Sequence, residues 1–244
     1  MTKLPVEIWV VDLDASAEAL FAAERQVARI SPDEEERAAR LPAGENRRRR
    51  AAYIAQRLLL ERTCGPAIRG VVLGRGRNGR PQLPTGFPGA VSLAHTGRFA
   101  LTGYTQARTI GVDLEAHRVV KMDARRQGII VAAASTLTAG PLPATGDARF
   151  LRAWTRLEAL AKADGRGMGH LLTQIGAAGG AKGAGIMWAA ATAERAECRV
   201  QDLDLGDQLI GAVAVSSSAA NCAVRTVPDD PVRLEHFVRL ENRE

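Results

Sequence analysis

Aromatic residues are scarce in this chain: five Phe, three Trp and two Tyr make up 4% of its 244 residues. A protein that stacks nucleic-acid bases needs a denser supply, and no nucleic-acid recognition motif is present, so nucleic acid is not the expected partner. Cysteine is just as sparse. Cys64, Cys198 and Cys222 are scattered and odd in number, which suggests neither a disulfide framework nor a zinc site. No apolar run reaches the roughly 18 residues that a membrane-crossing helix needs. The opening MTKLPVEIWVVDLD meets Asp12 and Asp14 too soon to hold a signal-peptide core. A cytoplasmic protein without membrane association is expected.

What remains is an ordinary globular composition, 46% apolar and 25% charged. The length allows one substantial core or two small ones. Lys and Arg number 33 against 27 Asp and Glu, a net charge of +6 that favours an anionic partner without choosing one.

Residues 6–14 (VEIWVVDLD) read as a first strand ending in an acidic pair, and about 15–29 as a helix. Ser31-Pro32-Asp33-Glu34 is a helix start: Ser caps, Pro takes the first position and Glu34 closes a capping box. That helix runs to about Leu41. A longer one spans Glu45 to Arg62, with Tyr53, Ile54, Leu58 and Leu59 as its apolar stripe and Arg47 to Arg50 near its start. GRGRNG at 74–79 is turn chemistry and lacks the strand-to-helix setting of a dinucleotide-binding loop. Strands at 90–94 and 98–104 flank a His95-Thr96-Gly97 corner, and 109–114 is another strand. Residues 120–147 read as part helix, part mobile loop, and 148–164 as a helix. Residues 197–205 and 208–216 read as an antiparallel hairpin pair, 220–226 as a further strand, and a short helix begins at Pro231. Strands and helices mix without strict alternation, so the expected class is α+β. Val11-Asp12-Leu13-Asp14 echoes Val112-Asp113-Leu114-Glu115, which fits two similar α/β halves meeting near residue 110.

Trp154, Glu158 and Lys162 fall at successive i, i+4 steps and share one helix face. Alone, Glu158 and Lys162 read either as an exposed ion pair or as part of a site. Asp113 and Glu115 sit at i and i+2 of a strand, so their carboxylates converge on one side. With Glu158 as a third oxygen donor they suit Mg2+; the bland alternative is a solvated acidic strand end. His95 reads either as a structural histidine or, with the Thr96 hydroxyl, as a phosphate donor. Arg80 stands on a rigid Gly-Arg-Pro turn. Arg47 to Arg50 are either a solvated helix face or in part a phosphate clamp.

Taken in order, Arg47 to Arg50, GRP at 79–81, AHT at 94–96, GVDLE at 111–115 and WTRLEALAK at 154–162 resemble the Sfp-type 4′-phosphopantetheinyl transferases. That family's pattern is a basic helix, a Gly-Lys-Pro turn, a Ser-His-Ser corner, a Gly-X-Asp-X-Glu strand and a Trp-X-X-Lys-Glu-X-X-X-Lys helix. The resemblance covers roughly residues 6–216. It implies a pseudo-dimeric fold in one chain: an N-terminal half (1–109) with CoA-phosphate contacts and a C-terminal half (110–244) with metal and catalytic residues. It also implies an enzyme that moves 4′-phosphopantetheine from coenzyme A to a serine of an apo carrier protein of secondary-metabolite assembly, releasing 3′,5′-ADP. Asp113, Glu115 and Glu158 would hold Mg2+, or Mn2+ in its place. Glu158 would accept the serine proton and Lys162 would offset phosphate charge. His95, Thr96 and Arg80 would hold CoA phosphates, with Arg50 and then Arg47 for the 3′-phosphate. An acidic carrier would be steered by the positive enzyme, and a monomer is expected.

The chain departs from the pattern at Leu157, where the family has Lys, and at Arg80, Ala94 and Thr96. Arg156 or Arg152 would be the substitutes for the missing cation. A Mg2+-dependent phosphoesterase or nucleotide hydrolase, or a basic polyanion-binding protein, are the alternative functions.

Overall fold

The structure is a computed structural model, and it describes residues 5–178, 185–216 and 221–239. It is mixed α and β, as expected. Strand β1 (Pro5–Asp12) is apolar at almost every step and can be buried on both faces. It pairs antiparallel with β5 (Phe99–Thr105) and parallel with β9 (Asn221–Thr226). Strand β4 (Ala90–Thr96) forms a hairpin with β5, giving the order β4-β5-β1-β9. The second sheet has the order β6-β8-β7, from β6 (Ile110–Ala116), β7 (Arg199–Leu203) and β8 (Leu209–Val215), all antiparallel. Strands β2 (Gly74–Arg75) and β3 (Pro81–Gln82) make a minimal hairpin around the Gly-Arg turn.

One topology is used twice. In each sheet the first strand in sequence (β1 or β6) pairs with the third (β5 or β8), which pairs with the second (β4 or β7). Helices fill the same interval in both: α1 (Ala17–Gln26), α2 (Pro32–Ala39) and α3 (Ala43–Cys64) follow β1. After β6 come α4 (Ala124–Ser135), α5 (Gly146–Asp164), α6 (Met168–Gln174) and α7 (Trp188–Arg195). The last helix, α8 (Pro231–Arg239), and β9 return to the first sheet, where Arg62 of α3 donates to Phe237 O at 2.9 Å. Residues 221–239 therefore pack with the first sheet, although a division at residue 110 assigns them to the C-terminal half.

Three apolar clusters hold these layers. Trp9 and Val11 face the helices of the first half with Leu20, Ile54 and Leu58. Ile210, Ala212 and Ala214 face Leu151, Leu157 and Leu160 of α5. The alternate residues, Val6, Ile8 and Val10 on β1 with Ile110, Val112 and Leu114 on β6, join sheet to sheet. Fully burying one such side chain contributes about 1.5–3 kcal/mol. Gly103 permits the approach, since a Cβ there would lie 2.9 Å from Val112 Cγ1. The edges meet as well: Ser92 Oγ of β4 accepts the Val112 N–H of β6 at 3.1 Å.

Most expected elements are present within a few residues. Ser31 N–H donates to the Glu34 carboxylate at 3.0 Å, as the capping box requires. The ambiguous stretch contains α4, followed by a non-helical connection to Gly146. Helices α6 and α7 were not expected; at seven and eight residues each makes about two turns, too few to establish a period in the sequence. Residue 220 of the last expected strand lies outside the described residues, as do residues 240–244 beyond α8.

The echo fails in detail. Val11 faces helices while Val112 faces the opposing sheet, so aligning the two tetrapeptides puts opposite faces together.

Candidate active site

Helix α5 lies directly on β6 because of Gly111. A Cβ at that position would sit 2.0 Å from Ala159 O and 2.6 Å from Ala163 N. The residues two and four steps further on this strand face are Asp113 and Glu115. On α5, Trp154, Glu158 and Lys162 form a half-buried stripe between buried neighbours. Glycine thus supplies the contact, and strand and helix periods bring the charged groups together.

Lys162 Nζ lies 2.7 Å from Asp113 Oδ1, 3.2 Å from Val112 O and 3.5 Å from Glu158 Oε1. Glu115 accepts from Arg118 at 3.0 Å. Asp113 is only 5% exposed. Burial pushes its pKa up, Lys162 opposes this, and the carboxylates of Glu158 and Glu115 add to it; the result is about 7. The site is short of positive charge.

His95 stands across the cleft on β4. Arg49 Nη2 approaches its Nε2 at 2.5 Å. A guanidinium has only donors, so Nε2 is the acceptor and the ring proton belongs on Nδ1. His95 is surface-accessible, yet its recess costs the charged form hydration. Burial first, then the charges of Arg49 and Lys162, hold its pKa below the ordinary imidazole value.

These groups line a cleft of three adjoining chambers. The central one, about 250 Å³, is bounded by Arg49, Tyr53, His95, Asp113, Glu158 and Lys162. A second, about 220 Å³, shares Glu158 and Lys162 and runs past Leu93 to Arg80, Gly165 and Met168. A third, about 280 Å³, shares Arg49 and His95 and extends to Glu45, Arg48 and Gly97.

Several expected residues lie elsewhere. Arg47 pairs with Glu18 at 2.7 Å and Arg50 with Glu35 at 2.9 Å, both over the Phe21 ring. Spaced i, i+3, they face α1 and α2, while the cleft face of α3 carries Arg48, Arg49, Ala52, Tyr53 and Gln56. Arg48 is itself held by both Asp14 oxygens, at 2.8 and 2.6 Å. Thr96, of opposite strand parity to His95, lines none of the three chambers. Arg80 reaches the cleft but donates to Ala163 O at 2.9 Å, satisfying a carbonyl at the end of α5. Burial lowers its pKa.

Leu157 is fully buried in the core of the second half, about 100° around the helix from Glu158. Its neighbours do not replace the cation. Arg156 binds both oxygens of Asp202 at 2.8 Å, and Arg152 binds the same carboxylate at 3.0 Å, away from the cleft. Trp154 stacks on Phe150 at 6.0 Å and packs on the same core.

Among the described residues, no group of three His, Cys, Asp or Glu side chains converges on one cation position. Lys162 holds Asp113, and Arg118 holds Glu115. The donor chemistry still fits a hard divalent cation. Two carboxylates share a strand face, a third stands opposite, and their mutual repulsion is what a cation relieves. Tyr53, Gln56 and Arg75 are cleft residues that sequence reasoning missed. Counting four and seven from Arg49 would have found the first two.

No protein-family model matches the chain, and no curated protein matches it. Among the described residues no helix is long and apolar enough to cross a membrane.

Proposed function

We propose that this protein transfers the 4′-phosphopantetheine group of coenzyme A to a serine hydroxyl of an acidic apo carrier protein and releases 3′,5′-ADP. The observation that carries the reading is the meeting of Lys162 and Glu158 with Asp113 over Gly111, opposite His95 in one cleft. The repeated strand topology supports the pseudo-dimeric fold of the transferases it resembles, with the ligand at the junction of the halves.

The serine oxygen attacks the β-phosphorus of the CoA pyrophosphate, and the bond to the 3′,5′-ADP oxygen breaks. Glu158, directly or through water, takes the serine proton. Asp113, Glu115 and Glu158 would hold Mg2+, or Mn2+, which when bound supplies Lewis-acid charge withdrawal at the pyrophosphate. Lys162 moves from Asp113 toward the phosphate oxygens and offsets charge on the leaving group. His95 donates from Nδ1 to a phosphate oxygen, and Arg80 bounds the neighbouring chamber. Catalysis is alignment and charge neutralisation. The net charge of +6 steers an acidic carrier toward a single-chain, monomeric enzyme.

The test is incubation with CoA, Mg2+ and an apo carrier protein, followed by intact-mass measurement of the carrier. A phosphopantetheine-sized gain that disappears in Asp113→Ala supports the reading. Several unrelated carriers left unmodified, while CoA still binds, would sink it. Release of 3′,5′-ADP without any carrier would instead favour a Mg2+-dependent phosphoesterase.

A further inference from the structure

The lining of the central chamber holds two chemically different groups. Asp113, Glu158 and Lys162 form one. In the other, Gln56 of α3 is 1% exposed, lines the chamber, and its Nε2 has no hydrogen-bond partner. Arg75 of β2 lines the same chamber with its Nε and Nη2 buried and unpartnered; its Nη1 donates to Gly79 O at 3.2 Å. Buried donors are ordinarily satisfied, and leaving them unmade is costly. Two such side chains facing one cavity mark a place where an acceptor-rich group belongs. Arg49 lines the same chamber two turns back along α3 from Gln56, a third donor and the second cation beside Arg75.

We propose that Gln56 and Arg75 are specificity-determining donors of the cleft, binding the oxyanion of a phosphomonoester distinct from the phosphate handled beside Lys162. A guanidinium edge with an adjacent amide N–H matches a tetrahedral oxyanion, and the guanidinium's planar fork fixes its orientation. The ligand then carries two separate phosphate sites. The phosphomonoester's identity rests on the transferase reading, in which it is the 3′-phosphate of CoA. The donors take the place of Arg50 and Arg47, whose guanidiniums are engaged on the far side of the helix.

The test is calorimetric titration, without metal, of the full chain with adenosine 3′,5′-bisphosphate, adenosine 5′-monophosphate and inorganic phosphate. Wild type is expected to prefer the bisphosphate over the monophosphate by about tenfold or more. Gln56→Met and Arg75→Ala each reduce that preference toward unity with monophosphate binding unchanged. Wild-type preference in both variants overturns the inference. Inorganic phosphate that binds as tightly as the bisphosphate, and is lost in both variants, upholds the oxyanion donors and overturns the phosphomonoester. Should Gln56→Met melt well below wild type, Arg75→Ala, on the β2–β3 turn, carries the test. A preference that behaves as expected beside a failed carrier assay sinks the transferase alone. Transfer that persists with unaltered preference sinks this inference alone.

Discussion

Lys162 is closer to Asp113 on the facing strand, at 2.7 Å, than to Glu158 on its own helix, at 3.5 Å. The i, i+4 pair that a helix surface would stabilise by a few tenths of a kcal/mol is therefore secondary. The cross-element contact exists because strand and helix touch at backbone level, and only one residue type allows that.

Gly111→Ala tests the dependence. The added methyl would meet the Ala159 carbonyl and the Ala163 nitrogen, neither of which can rotate away. Strand and helix must separate, at a cost of about 3 kcal/mol or more. Gly128→Ala is the control: it lies inside α4 with open space around it and should stabilise by about 0.5–1 kcal/mol. Urea titrations of both variants check this, and a near-neutral Gly111→Ala would remove glycine from the account of the site.

Much of this site was legible before the fold was known, because it rests on local periods. Asp113 and Glu115 share a face by the strand period, and Trp154, Glu158 and Lys162 by the helix period. What the sequence could not show was phase relative to the partner element. Within Arg47–Arg50 every residue looks alike, yet packing of α3 on α1 and α2 turns Arg47 and Arg50 away and leaves Arg48 and Arg49 on the cleft. Arg156, two residues before Glu158 in sequence, is committed to Asp202, 46 residues further along the chain. The two copies of the Val-Asp-Leu echo face opposite ways, so the echo says nothing about the strand order that the two sheets share.

Leu157→Lys would restore the cation of the family pattern, and it should not raise activity. The side chain is fully buried in the apolar cluster with α4 and the second sheet, so an ammonium there loses its hydration. Destabilisation by about 2–4 kcal/mol is expected. Thermal melting of the variant beside its transfer rate decides the point; a stable variant with faster transfer would contradict this placement of α5.

His95 should titrate below the ordinary imidazole value of 6.5, since burial and the charges of Arg49 and Lys162 all penalise its protonated form. Arg49→Ala removes one of those charges and opens the recess, so the pKa should move upward. Two-dimensional NMR of the ring Cε1–H signal reads this directly. A wild-type value at or above 6.5 would show that the Arg49 contact does not persist in solution.

Asp113 gives the chain a stability penalty that depends on pH. Its carboxyl has an ordinary value of 3.8 when unfolded and about 7 when folded, so between those limits the native state binds more proton than the unfolded one. Stability therefore falls as pH rises through that window, the reverse of the usual salt-bridged carboxylate. Asp113→Asn removes the penalty while keeping the shape. The variant should be more stable than wild type by ~1–3 kcal/mol at pH 8, with the difference shrinking toward zero at pH 4. Denaturant midpoints at the two pH values check the sign. A variant less stable at pH 8 would mean that the Lys162 contact outweighs burial and that Asp113 is a structural anchor. A more stable but inactive variant is what a carboxylate kept for binding a cation predicts, since functional sites hold charge at the expense of the fold.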